Sequence, residues 1–223
     1  FVLWLGALAP ASWLIAAHFL DWLGANPIEK LTHVTGMTTL VLLLVTLAVT
    51  PVRRVTRWNP VIQLRRPLGL FAFFYACLHF SIWMVLDLGF QLEWVWEDIA
   101  ERPYITVGFS AFLILIPLAV TSTKGWMRRL GRRWSRLHRG IYLAAALGAI
   151  HYYWLVKADV RLPLLLAGIL GVLLATRVWF WWSGRGARHR RRAVRAASAE
   201  GGRDRTPDAP PGGRPAPEAV PGR

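Results

Sequence analysis

Apolar residues in this chain do not recur at the three-to-four spacing of a surface helix, nor do they alternate as in a half-buried strand. They fill blocks, at about 2–20, 33–51, 67–88, 104–122, 139–156 and 163–182. Each block approaches the roughly 20 apolar residues a helix needs to cross a bilayer core about 30 Å thick. In lipid, a helix satisfies every backbone N–H and C=O within its own segment. The pattern therefore predicts an all-α integral membrane protein, a bundle of six transmembrane helices. Pro10 and Pro117 lie inside the first and fourth blocks and mark kinks. The chain opens on Phe1 within an apolar block, so this block is read as a span whose beginning lies upstream, not as a cleavable leader.

The polar residues between the blocks fall into two kinds. The 52–66 connection holds Arg53, Arg54, Arg57, Arg65 and Arg66 with no acid, and the 123–138 connection holds Lys124, Arg128, Arg129, Arg132, Arg133 and Arg136, again with no acid. Asp21, Glu29, Asp87, Glu93, Glu97, Asp98, Glu101 and Asp159 lie in the other connections. Short cytoplasmic loops carry the excess of Lys and Arg. Both termini are then expected in the cytoplasm, with the acidic loops on the far side, the periplasm of a bacterial inner membrane.

Two stretches depart from the block pattern. Over 124–140, Trp126, Leu130, Trp134 and Leu137 recur at helical spacing with arginines between them, which predicts an amphipathic helix lying in the interface. From Gly184 onward Gly, Pro, Ala and Arg dominate without apolar periodicity, so a disordered cytoplasmic tail is expected over 184–223, after a membrane domain over 1–183. Arg188 and Arg190 to Arg192 directly follow the last span, where they suit anionic membrane lipid and not nucleic acid.

Composition sharpens this picture. Of 223 residues, 55% are hydrophobic, yet the net charge is +15, so charge and apolar sequence are segregated as in a membrane protein. The single cysteine, Cys77, excludes an intrachain disulfide and any cysteine-only metal or iron–sulfur site within one copy.

Ionisable side chains inside a bilayer are costly and point to function. His79 follows Pro67 by twelve residues and His151 follows Arg139 by twelve, on spans running in the same direction. At 1.5 Å per residue both imidazoles lie about 18 Å from the cytoplasmic edge. Two imidazoles at one depth, among Phe80, Trp83, Tyr152 and Tyr153, suit the two axial positions of a haem iron. A zinc site would want four ligands, and none beyond these two is apparent at that depth. One such histidine alone would more simply hydrogen-bond a neighbouring helix.

His138 lies thirteen residues before His151, about 20 Å away by helical rise. On an ideal straight helix the second ring is rotated by about 220° from the first, which counts against a simple stack of two haems. Ligation of a second haem, contact with a quinone or flavin ring, and a bystander role in the headgroup region all stand open for His138. His33 opens the second span at the outer face, and Gly36 one turn later would let a flat ring approach the backbone. His18, near the outer end of the first span, is a weaker candidate.

The segments "GANPIEKLTHVTG", "RRPLGLFAFFYACLHF", "ERPYITVGF", "LAVTSTKGWMRRLGRRWSRLHRGIYL" and "IHYYW" resemble the haem-binding membrane subunits of the MsrQ family, also called YedZ, within the ferric-reductase-like transmembrane group. Their order and spacing cover nearly all of 21–157. The resemblance implies six spans, one or two b-type haems, FMN as a further candidate cofactor, and a periplasmic molybdopterin partner of the MsrP type that repairs methionine sulfoxide in oxidised proteins. It also implies electrons from the quinone pool, with a cytosolic flavin reductase as another donor. Carried onto this chain, it marks His79 and His151 as haem ligands, His138 as a further one, and His33 within a matching motif. Larger ferric reductases and NADPH oxidases carry a histidine near the position of Arg65 and Arg66 and add nucleotide-binding domains after the last span; this sequence has neither.

The expected function is that of a transmembrane electron-transfer subunit, not the catalytic subunit itself. Electrons would enter near His138 and the cytoplasmic arginines and leave at the outer face. There the loop from Glu93 to Glu101, with Trp94 and Trp96, is either a docking surface or an interfacial aromatic belt. The competing expectation is a small transporter or scaffold whose histidines only lock helices together.

Overall fold

The computed structural model of the chain describes residues 2–156 and 158–203, and no strand occurs among them. The order is α1 (Val2–Phe19), α2 (Pro27–Thr56), a 3-10 turn (Asn59–Leu64), α3 (Arg65–Ser81), a π-helical turn (Ile82–Asp87), α4 (Leu92–Glu101), α5 (Pro103–Val120), α6 (Lys124–Leu130), α7 (Arg132–Leu137), α8 (Gly140–Leu155) and α9 (Arg161–Arg203).

Among the described residues, four helical runs are long and apolar enough to cross a membrane: Pro27–Thr56, Asn59–Asp87, Pro103–Val120 and Arg161–Ser183. The second of these merges the 3-10 turn, α3 and the π-helical turn, so the block expected at 67–88 begins earlier, at Asn59. The first and fifth blocks form shorter elements. The apolar part of α1, Leu3–Phe19, falls just under the length of a full span, and α8 has 16 residues.

The chain divides into two units, Phe1–Val178 and Trp179–Arg223. In the first, α2 packs chiefly on α3, and α5 chiefly on α8. The shared core joins Leu40, Leu43, Leu44 and Leu47 of α2 to Ala72 and Ala76 of α3, Leu115 and Leu118 of α5, Ala144, Ala145 and Ala149 of α8, and Leu166 and Leu170 of α9. Ala72, Ala144 and Ala145 are fully buried. Lipid tails are as apolar as leucine, so helices in a membrane associate through close packing, and small residues allow that approach.

A polar clamp adds α1 to the bundle. Pro10 has no N–H to give its helix, and the Tyr75 hydroxyl enters the same turn from α3. It donates to the Ala7 carbonyl at 2.6 Å and accepts from the Ala11 N–H at 3.1 Å, completing two backbone groups where a side chain interrupts the ladder.

In the second unit the helical backbone of α9 runs on to Arg203, through the first half of the segment expected to be disordered. Alanine and arginine are among the best helix formers, and residues 187–199 consist largely of them. Residues 204–223 lie outside the described residues. The amphipathic stretch expected at 124–140 is two short helices, α6 and α7, because Gly131 at φ +48° breaks the run between them.

Candidate haem site

His79, on α3, and His151, on α8, meet with ring centroids 6.1 Å apart and planes at 81°. Each ring is fixed by the neighbouring helix in the same way. His79 Nδ1 donates to the Thr32 carbonyl at 2.9 Å, and His151 Nδ1 donates to the Tyr104 carbonyl at 2.7 Å. A carbonyl can only accept, so the proton is on Nδ1 and Nε2 keeps its lone pair. The Thr35 hydroxyl stands 3.5 Å from His79 Nδ1 as a weaker neighbour.

One helical turn beyond each carbonyl stands a glycine. A Cβ on Gly36 would meet His79 Cε1 at 2.9 Å, and one on Gly108 would meet His151 Nδ1 at 2.6 Å. These contacts are closer than real side chains tolerate, so each imidazole lies in a notch that only glycine leaves open. Gly36 thus makes room for His79, a ring of the chain itself, where the sequence suggested a flat ring near His33.

The two cradles repeat. Gly36 precedes His79 by 43 residues and Gly108 precedes His151 by 43, while each carbonyl precedes its histidine by 47. The tetrapeptide Leu-Ala-Val-Thr also recurs in the first helix of each pair, at 47–50 inside α2 and at 118–121 across the end of α5.

This donor set fits a metal whose remaining ligands are not protein. Among the described residues no group of three or more His, Cys, Asp or Glu side chains is placed to hold a metal ion. Neither Nε2 makes a hydrogen bond among the described residues, which leaves both lone pairs available to a metal. Imidazole nitrogens bind first-row metals at about 2 Å, so a metal gripped from both sides places the ring centres roughly 6 Å apart. His79 and His151 would hold a haem iron, and the macrocycle would supply the ligands that this pair lacks.

Comparison with known proteins agrees with this architecture. Residues 35–149 match the ferric reductase like transmembrane component family. The chain is 50% identical over 187 residues to the protein-methionine-sulfoxide reductase heme-binding subunit MsrQ of Herminiimonas arsenicoxydans, covering 82% of this chain and 86% of that one. It is 52% identical over 180 residues to the MsrQ of Xanthomonas axonopodis pv. citri (strain 306), covering 78% and 82%. The chain belongs to the MsrQ family.

Of the other candidate histidines of this MsrQ-family chain, His33 lies within electrostatic range of His79. His138 ends α7, before α8 begins at Gly140, so the 220° rotation of one ideal helix does not apply to it. Its ring stacks on Trp134 with centroids 4.0 Å apart. Nδ1 faces the Trp134 carbonyl at 3.2 Å, and Nε2 faces the Ser122 hydroxyl at 3.5 Å. Burial pushes its pKa below the usual range; contacts with the Trp134 and Leu118 backbone oppose this, and the charge of Arg65 adds to it. His33 is exposed and lies 6.0 Å from the Tyr152 ring. His18 is exposed beside Phe19.

Of the aromatic residues expected around the pair, Phe80 stacks on Phe112 at 4.8 Å in the α3–α5 wall, whereas Tyr153 is exposed. Trp83 donates its indole N–H to Asp98 of α4 at 3.3 Å, which ties the acidic helix to the end of α3. Trp94 and Trp96 are exposed on that helix. Thr32, Tyr104 and Gly108 are the site residues that sequence reasoning did not single out. The available signal was a glycine 43 residues before each deep histidine, four residues after the residue whose carbonyl accepts from that histidine.

Proposed function

We propose that this chain is the electron-transfer subunit of a protein-methionine-sulfoxide reductase system, with a b-type haem held between His79 and His151. The observation that carries the reading is the matched pair of imidazoles, each tied through Nδ1 to a backbone carbonyl and each leaving Nε2 without a partner. The relatives' printed name, heme-binding subunit, supports it. When bound, a b-type haem supplies one-electron oxidation and reduction of its iron.

The chain's own residues orient and insulate. The Thr32 and Tyr104 carbonyls select the tautomer and raise the basicity of each Nε2, as outer partners of metal-bound histidines do. Gly36 and Gly108 set how deeply each ring is seated. Phe80, next to His79 in the chain, stacks on Phe112, which stacks on Phe73, and this uncharged run keeps the local dielectric low.

The proposed topology is six spans over 1–183, with both termini and the 184–223 tail in the cytoplasm of a bacterial cell. The basic connections then face inward, and α4 with Trp94 and Trp96 faces a periplasmic MsrP-type molybdopterin reductase. Electrons come from the quinone pool or a cytosolic flavin reductase, entering near His138, where FMN or a second haem would also sit. His33 stands at the outer rim of the site.

The test is the absorption spectrum of the purified full-length protein. A Soret band that shifts on dithionite reduction, and is lost in both His79→Ala and His151→Ala, is the expected outcome. A colourless wild-type preparation rejects the reading in favour of histidines that only lock helices, and full haem in either variant rejects the ligand assignment.

A further inference from the structure

At the end of the bundle away from the histidine pair, three helices bring together an arrangement that haem ligation does not use. Arg65, the first residue of α3, lies beside the Tyr142 hydroxyl of α8 and within electrostatic range of Arg177 of α9. The Arg177 guanidinium stands over the Tyr142 ring, 5.2 Å from its centroid. Both arginines are half-buried, and Arg177 lies within a stretch apolar enough to cross a membrane.

Nothing in the converging segments neutralises them. Residues 30–86, 102–158 and 160–199 contain no Asp or Glu. Two like charges held in a poorly hydrated place repel each other, and a chain that keeps them there without an acid leaves room for an anion. The planar guanidinium fork matches phosphate oxygens in a way that a lysine does not. The Tyr142 hydroxyl beside Arg65 adds one more donor.

We propose that Arg65, Arg177 and Tyr142 form a binding site for a phosphate group, carried either by an inner-leaflet phospholipid or by a soluble phosphorylated ligand. His138 lies within electrostatic range of Arg65. The site does not depend on the haem reading.

The full-length protein, stripped of lipid in mild detergent, is titrated with dihexanoyl phosphatidylglycerol under native mass spectrometry in one arm, and with inorganic phosphate by equilibrium dialysis in the other. Saturable binding is expected in at least one arm: lipid alone assigns a phospholipid, and inorganic phosphate assigns a soluble source. The double variant Arg65→Gln with Arg177→Gln should bind at least tenfold more weakly, and Tyr142→Phe about threefold. A control pair on exposed positions, Arg128→Gln with Arg132→Gln, should leave binding unchanged. Absence of saturable binding in both arms, or equal weakening by the control pair, overturns the site. Should the double variant fail to fold, Arg177→Gln alone carries the test, with a loss of at least fivefold, and an unchanged affinity there overturns it. The Soret band is read on the same samples. A colourless protein that still binds phosphate therefore refutes the haem reading alone, and a coloured one that does not refutes the phosphate site alone.

Discussion

The pair α2–α3 and the pair α5–α8 are two versions of one device. In each, a histidine on the second helix lies over a glycine of the first and donates to the carbonyl one turn before it, with the same 43-residue spacing. The correspondence is a shift of 72 residues, from Gly36 to Gly108 and from His79 to His151. At the other end it fails. The position 72 residues before His138 is Arg66, which lines a groove against Trp4 and Leu8 of α1, whereas His138 faces Ser122 at the end of α5. Two like halves can present matched histidines from opposite sides of one metal, whereas the inner ends differ in what they contact.

The strongest test of the likeness is to remove the deep histidine from each half. His79→Ala and His151→Ala should both reduce bound haem, read as Soret absorbance per polypeptide, to below about a tenth of wild type; a large inequality would mean that the halves are not equivalent. Next come the notches. Gly108→Ala should displace His151 more than Gly36→Ala displaces His79, because its Cβ meets Nδ1 at 2.6 Å where the other meets Cε1 at 2.9 Å. Haem content and the low-spin signature in the electron paramagnetic resonance spectrum should both fall further in Gly108→Ala, and the reverse order would show that the α2–α3 notch is the tighter one.

Tyr75→Phe probes the α1 clamp, which has no counterpart in the second pair. Losing its two hydrogen bonds should cost about 1–2 kcal/mol, read as a lower thermal midpoint with the Soret band intact. The smallest effect is expected from restoring symmetry at the inner end. Arg66→His should leave haem per polypeptide unchanged, because position 66 lines a groove against Trp4 and Leu8 of α1 whereas His138 faces Ser122. An additional haem in that variant would show that the inner ends are more alike than their contacts suggest.

Much of the bundle was legible from hydrophobic blocks, because a segment that must satisfy its own backbone in lipid advertises its length. Equal depth of His79 and His151 was legible too, since helical rise converts twelve residues on each span into the same distance. The break at Gly131 was less so: a single glycine within an otherwise periodic stretch is tolerated in many helices, and its positive φ follows from the corner the chain must turn. The helical continuation to Arg203 went unread because the Gly, Pro and Arg content of the whole tail outweighed the alanine-rich run within it.

By itself, the sequence of this MsrQ-family chain determined which segments are apolar, which loops are basic, and that two histidines lie level with each other. These properties depend on composition and on distance along one helix. Only the tertiary structure decided that Thr32 and Gly36 seat His79, that Tyr104 and Gly108 seat His151, and that Arg65 and Arg177 converge on Tyr142. Each of those contacts depends on the register and rotation of one helix against another, which are set by the packing of many small side chains at once and are written at no single position of the chain.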